Sequence, residues 1–530
     1  MSTFRGAWSL AGIIAGAAGL ATSYAVANVM SVRSSPVVAV AELVIRLAPG
    51  ELVERAIDTL GAADKPLLVL GIFVALVLLF AWAGRLAARR WWGAALVLGA
   101  LAGVGVAAVA IQENPSAMAY LPIAVGFATW LVVLAFLAGR LRDRPGRTAA
   151  SPEPPEPVDI TPDATTEHPH PEAAATGRRG FLVGAASVVA VSAALGVLGR
   201  VWGRGRRQVE ESRRLLRIPG VTEPKVPPAA RIGLAGVSSW QTPEDDFYLI
   251  HTAIALPTIE PEEWTLRIHG MVDRELVLDY QDLLERERTE AWVTLNCVSN
   301  PVGGDLVGNA WWSGVSLGDL LAEAGVHPDA DAILQTSHDG WTCGTPLAAV
   351  TDGRDAMLAV AMNGRPLPVE HGFPVRTIVP GLYGFVSATK WLVDIEVTRF
   401  DRFDAYWTTK GWAEQAPVRL ASRIDVPHAG QDLPAGEIQV GGVAWQQHVG
   451  VAGVEVSVDG GEWEQVQVAA PRTVDTWVQW AGTVAVEPGE HVLRVRAISR
   501  AGEVQTGTER SVLPDGATGW HEVEFTAEDA

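Results

Sequence analysis

The chain has 530 residues, of which 48% are hydrophobic, and a formal net charge of −19 at pH 7. This length predicts two or more domains, the hydrophobic content indicates membrane segments, and the acidic balance argues against nucleic acid as a partner. Two cysteines, Cys297 and Cys343, exclude a disulfide framework, a four-cysteine zinc site and an iron–sulfur cluster. A single bridge between them stays open.

Residues 1–145 predict a membrane domain with four spans. Four uncharged runs each have roughly the 20 apolar residues that a bilayer span needs. They are Trp8–Met30, Pro66–Gly84, Trp91–Ile111 and Ala119–Gly139. The intervening residues 31–65 are interrupted by charges and predict an amphipathic segment outside the bilayer. Arginines precede the first span, lie between the second and third, and follow the fourth. If the four helices alternate in direction, all these arginines lie on one side of the membrane, and the positive-inside rule makes that side cytoplasmic.

All 11 histidines lie at or after residue 168, so the four predicted spans contain neither histidine nor cysteine. A bis-histidine haem, a c-type haem and an iron–sulfur cluster are therefore excluded within them. Any electrons that the rest of the chain used would therefore come from a separate electron-transfer partner, and the spans anchor the chain or dock a partner subunit.

Residues 146–176 are rich in Pro, Glu and Ala, which predicts a disordered cytoplasmic linker. Residues 177–203 begin "GRRGFLVGAAS" and are similar to a twin-arginine export signal. An ordinary span with a basic flank is the other interpretation. Both predict a fifth transmembrane helix, and both place everything after about residue 204 outside the cytoplasm. The chain is then a multi-pass cell-membrane protein with an extracytoplasmic soluble part.

Residues 204–412 have the pattern of a mixed α+β domain. Trp264–Leu284 predicts strand, turn, strand and short helix, and Asp331–Gly340 predicts a strand that ends in a turn. Trp312–Val326 predicts a loop that leads into a helix capped near Ser316. Residues 413–530 instead show short alternating strands with glycine-rich turns, which predict an immunoglobulin-like β-sandwich.

Cys297 lies in "TLNCVSNP", where a strand containing Val293 and Leu295 enters a loop. A cysteine in that position can meet a ligand, and a thiolate is a soft metal ligand. Two other interpretations stay open at this point. Cys297 could be a buried structural cysteine, or a nucleophile activated by a distant base such as His338 or His371.

The segment Thr294–Leu321, "TLNCVSNPVGGDLVGNAWWSGVSLGDLL", resembles the molybdenum-cysteine segment of the sulfite oxidase family of molybdopterin enzymes. Asp245–Val272, Thr336–Leu347 and Leu358–Val397 resemble further segments of that family in the same order. The resemblance implies a molybdopterin-dependent oxidoreductase with a Mo-molybdopterin cofactor and a small-molecule substrate. It also implies a second domain of the dimerisation type, so a homodimer is one expectation and an anchor that replaces the dimer is the other.

The resemblance also implies the roles of individual residues. Cys297 would be the protein thiolate on molybdenum, and it is a catalytic residue together with Trp341. The residues implied to bind the cofactor are Tyr248, His251, Cys297, Asp339, His371, Arg376, Thr389 and Lys390. Of these, His371, Arg376, Thr389 and Lys390 would hold the pterin phosphate, which needs cations and N–H donors.

The sequence departs from the sulfite oxidases where those enzymes bind their anionic substrate. Pro301 stands where they have an arginine, and Leu249–His251 also lacks the expected arginine. Trp341 occupies the position of their active-site tyrosine. A site without these arginines should bind a dianion poorly, which predicts oxygen-atom transfer on a neutral S-oxide or N-oxide with Trp341 as a hydrophobic wall. The alternative is a cofactor-free ectodomain scaffold of the same fold.

Overall fold

The computed structural model describes residues 2–30, 35–49, 59, 63–111, 117–142, 182–194 and 205–529. The chain divides into two compact units, Met1–Arg204 and Gly205–Ala530. The predicted linker at 146–176 and the paired arginines Arg178 and Arg179 lie outside the described residues.

The first unit is helical in its described parts. Its helices are α1 (Ser2–Val29), α2 (Pro36–Leu47), α3 (Asp64–Ala87), α4 (Trp91–Ala110), α5 (Leu121–Arg142) and α6 (Leu182–Ala194). Four helices are long and apolar enough to cross a membrane, namely Gly6–Val29, Lys65–Ala87, Trp91–Ala110 and Ala117–Arg142. This confirms four candidate spans at the predicted positions. α6 belongs to the predicted fifth span and is shorter in its described part.

Small residues let the helices of this unit approach closely. A Cβ atom at Gly12 of α1 would overlap the carbonyl oxygen of Phe80 in α3, and one at Gly84 would overlap the carbonyl oxygen of Trp8. Glycine at both positions therefore permits backbone contact between α1 and α3, as is common between helices in membranes. On the other side of α3, apolar side chains such as Leu78 (66% exposed) are left on the surface of the unit.

The second unit begins with α7 (Gly205–Leu215) and continues into two sheets. The first sheet has the order β2-β1-β10-β5-β6. Its strands are β1 (Thr265–Gly270), β2 (Leu276–Asp279), β5 (Ala332–Ser337), β6 (Thr342–Pro346) and β10 (Leu392–Thr398). β1 and β10 are parallel, and the other neighbours are antiparallel.

The second sheet has the order β3-β4-β7-β8, with β9 paired to β7. Its strands are β3 (Thr289–Asn296), β4 (Val307–Ser316), β7 (Met357–Met362), β8 (Arg365–Pro366) and β9 (Arg376–Ile378). The helices α8 (Tyr280–Glu285), α9 (Leu317–Ala324) and α10 (Leu347–Thr351) connect strands of the two sheets. The predicted mixed α+β composition is confirmed.

The local predictions in this region hold except at one place. The strand, turn, strand and helix of 264–284 are present as β1, β2 and α8. α9 begins after Ser316, whose hydroxyl accepts a hydrogen bond from the Asp319 amide at 3.1 Å. The predicted loop before α9 is wrong, because residues 312–316 belong to β4. Gly314 fits this central strand because a Cβ atom there would overlap the carbonyl oxygen of Leu358 in β7.

The C-terminal part contains two further sheets with one shared core. One sheet has the order β11-β13-β17-β16 and the other β12-β19-β18-β14-β15. Their strands are β11 (Ala421–Val426), β12 (Asp432–Pro434), β13 (Gly436–Trp445), β14 (Val451–Val458), β15 (Glu464–Gln465), β16 (Gln467–Val468), β17 (Val478–Val486), β18 (Gly489–Ser499) and β19 (His521–Glu528). Val440 and Trp480 of one sheet share the core with Val454, Leu493 and Phe525 of the other. The β-rich C-terminal region is thus confirmed.

Candidate active site

Cys297 follows the last residue of β3, where the chain leaves the second sheet. Its amide donates to the Leu306 carbonyl at 3.0 Å, and its carbonyl accepts from the Asn300 amide at 3.2 Å. The Asn300 side chain accepts from the Leu306 amide at 3.0 Å. These bonds close the loop 297–306 between β3 and β4. Cys297 as a residue is half-buried, and both it and the buried Cys343 are free, so the bridge between them is not formed.

The surroundings of Cys297 favour the protonated thiol over the thiolate. Burial raises the pKa of the Cys297 thiol, while hydrogen bonds from Ser299 and the positive charge of Lys390 act in the opposite direction. A thiol nucleophile needs a lowered pKa, so this environment does not support the nucleophile interpretation. A metal ion would displace the proton and hold the thiolate.

Two tyrosines stand close enough to Cys297 to influence its charge. Burial raises the pKa of Tyr248, with the Cys297 charge adding to the shift and Arg376 opposing it. Burial likewise raises the pKa of Tyr383 to about 12, and Cys297 contributes in the same direction. Both phenols therefore keep their protons at neutral pH. Sequence reasoning found Tyr248 but missed Tyr383, which no motif marks.

A tight turn brings His371, Arg376 and Lys390 together. Gly372 has φ +110°, and a Cβ atom there would lie 3.0 Å from the Cβ of Lys390 and 3.1 Å from that of Arg376. Nη1 of Arg376 donates to the His371 carbonyl at 3.0 Å, and Nζ of Lys390 donates to the Glu370 carbonyl at 2.8 Å. The turn thus concentrates two cations beside one imidazole.

His371 is neutral in this site. Burial, together with the charges of Lys390 and Arg376, lowers the pKa of His371 to about 3. Nε2 of His371 lies 3.2 Å from the Glu244 carbonyl, which can only accept, so Nε2 carries the proton. Nδ1 is then a bare acceptor, and it is buried without a hydrogen-bond partner within the described chain.

Arg376 is the most deeply placed cation of the site. It is 4% exposed, lies over the Trp312 ring at 5.1 Å, and leaves Nε without a partner among the described residues. Burial lowers the pKa of Arg376 to about 10, so it stays charged at neutral pH. No carboxylate pairs with it in residues 205–529. A buried, unpaired cation of this kind is costly unless an anion meets it.

These features fit a molybdopterin. The Cys297 thiol can hold the metal, Arg376 and Lys390 can meet the phosphate, and the bare Nδ1 of His371 can accept from a pterin N–H. His251 joins this group through its charge interaction with His371, while its Nδ1 lies 2.9 Å from the Ala253 carbonyl.

Three other predicted residues occupy different surroundings. Thr389 is fully buried, and its hydroxyl has no hydrogen-bond partner among the described residues. Asp339 accepts a hydrogen bond from the Trp341 amide at 3.1 Å, which closes the turn after β5. No hydrogen bond or ion pair in residues 205–529 joins Asp339 or Trp341 to the group around Cys297. Their predicted roles stay predictions.

The comparisons with known proteins agree with this site. The family model described as "Oxidoreductase molybdopterin binding domain" matches residues 253–407, which include Cys297 and the 371–390 turn. Sulfite oxidase of Gallus gallus is 30% identical over 334 residues, which cover 53% of this chain and 72% of the chicken protein. The chain belongs to the sulfite oxidase family.

The comparisons also found two further similarities. The uncharacterized oxidoreductase YuiH of Bacillus subtilis (strain 168) is 32% identical over 166 residues, which cover 31% of this chain and 80% of that protein. The crystal structure of the sulfane dehydrogenase SoxCD from Paracoccus pantotrophus superposes with a TM-score of 0.48 at 23% identity, covering 56% of this chain and 85% of that one.

Membership of the sulfite oxidase family makes the chain a molybdopterin-dependent oxidoreductase with molybdenum in its cofactor. The prediction of the family is confirmed, and the cofactor-free scaffold loses its support. Tyr248 and His251 lie just before the matched range.

The neutral state of His371 leads to a pH prediction. In the unfolded chain its pKa is about 6.5, so the unfolded state binds more protons between pH 6.5 and 3, and acid destabilises the fold. For His371→Asn we expect the loss of unfolding free energy between pH 7 and pH 5 to shrink by about 2 kcal/mol relative to the parent. Denaturant unfolding of the cofactor-free full chain at the two pH values measures this.

The exposed His428 provides the control for this measurement. The substitution His428→Asn should leave the acid sensitivity of the parent unchanged. An equal acid sensitivity in His371→Asn and the parent would contradict a neutral His371.

Proposed function

We propose that this enzyme is anchored in the cell membrane, that its catalytic domain is extracytoplasmic, and that it transfers an oxygen atom from a small S-oxide or N-oxide or, in reverse, to the corresponding sulfide or amine. The half-buried Cys297 just after β3, which feels the charge of Lys390 from the turn that also holds Arg376, is the observation on which the proposal depends. Cys297 is the metal ligand, and Tyr248, His251, Asp339, His371, Arg376, Thr389 and Lys390 contact the cofactor.

When bound, the cofactor supplies two-electron oxygen-atom chemistry. Reduction of a sulfoxide consumes two electrons and two protons and releases a sulfide and water, and oxidation runs in reverse. A separate electron-transfer partner provides or removes the electrons. Within the chain, Tyr248 keeps its proton beside Cys297 because burial raises its pKa. Trp341 acts as an apolar wall that excludes water from the substrate.

Charge pairing near the site supports a neutral substrate. Arg419, whose amide lies 3.4 Å from the Tyr383 hydroxyl, forms an ion pair with Asp515. Arg423, which reaches the Gly304 carbonyl of the Cys297 loop at 2.9 Å, is paired with Asp425 at 2.7 Å. An arginine that is paired with a carboxylate attracts a dianion only weakly, because the carboxylate offsets the charge of the guanidinium. Pro301 and the exposed Leu249 and Ile250 add no positive charge to the site.

This substrate preference can be measured directly. With the purified full chain and an artificial electron carrier, we expect kcat/KM for dimethyl sulfoxide to exceed that for sulfite by at least about tenfold, because loss of one charge-assisted contact removes roughly 1.5–3 kcal/mol of binding. Pro301→Arg should raise kcat/KM for sulfite, and Pro301→Met should not. Efficient oxidation of sulfite by the parent chain would contradict the proposal.

The membrane arrangement follows from the candidate spans. We propose a four-span membrane domain at 1–145, a disordered cytoplasmic linker at 146–176, a fifth transmembrane helix at 177–203, a catalytic domain at 204–412 and an immunoglobulin-like domain at 413–530. Arg85 in the last turn of α3, and Arg140 and Arg142 in the last turn of α5, support a cytoplasmic location for those ends through the positive-inside rule. The resemblance to the sulfite oxidases implies a C-terminal domain of the dimerisation type, and a homodimer is part of the proposal.

Protease accessibility tests this arrangement. In intact spheroplasts we expect an external protease to cut within 204–530 but not within 146–176, because the first is outside the cytoplasm and the second inside. In inverted vesicles the pattern should reverse. Cleavage within 146–176 in intact spheroplasts would overturn the proposed orientation.

A further inference from the structure

Residues 413–530, which contain the two C-terminal sheets and are called the sandwich below, contact the strand that leads to Cys297. The amide of Thr294 in β3 donates to the Asp475 carbonyl at 2.9 Å. The Thr294 hydroxyl accepts from the Trp477 amide at 2.8 Å, and its carbonyl accepts from Nε2 of Gln447 at 3.1 Å. Three hydrogen bonds from residues 447–477 thus converge on one residue, three positions before the cysteine.

Gln447 extends this contact to the residue next to Cys297. Its Nε2 also donates to the side-chain oxygen of Asn296. Gln447 is 2% exposed and Asn296 1% exposed. The second amide atom of each, Oε1 of Gln447 and Nδ2 of Asn296, is buried and has no hydrogen-bond partner among the described residues. An unsatisfied buried polar atom costs about 1–3 kcal/mol. A contribution to the stability of the fold therefore does not explain this amide pair.

The sandwich also holds the far arm of the Cys297 loop. Nη1 of Arg423 in β11 donates to the Gly304 carbonyl at 2.9 Å. A Cβ atom at Gly303, which has φ +74°, would overlap the ring of His521 in β19. The loop 297–306 is therefore fixed at one end through β3 and at the other through Gly303 and Gly304. Residues of the sandwich make the contacts at both ends.

We propose that Gln447 is a positioning residue for Cys297. Its bonds to Thr294 and Asn296 set the path of the backbone into Cys297, and thereby the direction in which the thiol meets the metal. The sandwich then forms part of the active site of its own chain, whether or not it also makes a dimer. The effect on the metal depends on the proposed role of Cys297 as its ligand. The restraint on the thiol does not depend on that role.

The chain contains two cysteines, which allows a test without the cofactor. The full chain is produced in a host that makes no molybdopterin, and the alkylation rates of Cys297 and Cys343 are followed by mass spectrometry. In Gln447→Met, which nearly preserves volume, we expect the Cys297 rate to rise by about three- to tenfold, the range given by loss of one buried hydrogen bond. Cys343, which is 0% exposed, should not change.

Two further variants make the result decisive. Gln439→Met applies the same change to an exposed glutamine of the same sandwich, and both rates should match the parent. Thr294→Val preserves shape but removes the hydroxyl that accepts from the Trp477 amide and donates to Oδ1 of Asn309, and it should also raise the alkylation rate of Cys297 alone. A parallel rise of both cysteines would show a loosened fold, and an unchanged Cys297 rate would show no restraint. Either result overturns the proposal.

The same variant in a host that makes molybdopterin separates this inference from the proposed function. Gln447→Met should alter the electron paramagnetic resonance signal of the metal and lower kcat with KM nearly unchanged. If the parent chain bound no molybdenum, the proposed function would fail while the alkylation result still tested the restraint. If molybdenum were bound and its signal were identical in Gln447→Met and the parent, the positioning role would be overturned.

Discussion

Replacing Cys297 with serine is expected to abolish turnover in the purified full chain. The hydroxyl of serine is a harder and far less acidic ligand than a thiol, so it cannot replace the soft thiolate on the metal. Loss of a residue that only orients a metal ligand costs about 10–100-fold, and we expect the loss of the ligand itself to exceed about a hundredfold in kcat. Metal analysis beside steady-state kinetics measures both consequences.

Cys343→Ser is the matched control for this experiment. Cys343 is fully buried beside the Thr345 hydroxyl, with Sγ and Oγ1 3.7 Å apart. Serine at that position should keep the molybdenum content and the rate of the parent. A Cys297→Ser protein that retained both molybdenum and full activity would show that the thiolate is not the protein ligand.

Arg376→Met should produce a chain that folds but retains little cofactor. The guanidinium is buried, and its Nε has no partner among the described residues. Removing one member of a buried charge pair typically costs about 2–5 kcal/mol, so we expect cofactor affinity to fall by roughly 30-fold or more. Pterin and molybdenum content after purification, measured at equal protein concentration, reports the loss.

Arg365→Met makes the same chemical change on the neighbouring strand β8, where the arginine is exposed. It should retain the cofactor of the parent. The thermal stability of the cofactor-free chain provides a second readout. Since Arg376 is a buried cation without a carboxylate in residues 205–529, Arg376→Met should unfold at the same temperature as the parent or higher. A large loss of stability would mean that Arg376 serves the fold rather than the cofactor.

The sequence predicted those parts of the site that local patterns encode. The capped helix after Ser316 and the strand that ends before Cys297 both depend on residues close in the chain. For the same reason four apolar helices were found at their positions. The strand at 312–316 was missed because its glycine and serines favour a loop, whereas pairing with β7 makes it a strand.

Contacts between distant segments could not be predicted. Tyr383 and Gln447 approach the Cys297 region from about 90 and 150 residues away along the chain. Neither belongs to a short motif, and only tertiary packing brings them there. The sequence predicted residues 413–530 as a separate domain. It did not predict that this domain contacts β3 and the loop 297–306.

Gly372 has a consequence for genetics. Its φ of +110° strains the backbone of any other residue, and the contacts of 3.0 and 3.1 Å that a Cβ atom would make require Lys390 and Arg376 to shift. A substitution there would push Lys390 and Arg376 apart without touching the thiol. In a screen for inactive mutants, such an allele would be grouped with defects in cofactor biosynthesis, because both yield protein without molybdopterin. Mixing extracts would separate them, since added cofactor restores a biosynthetic mutant but not the glycine mutant.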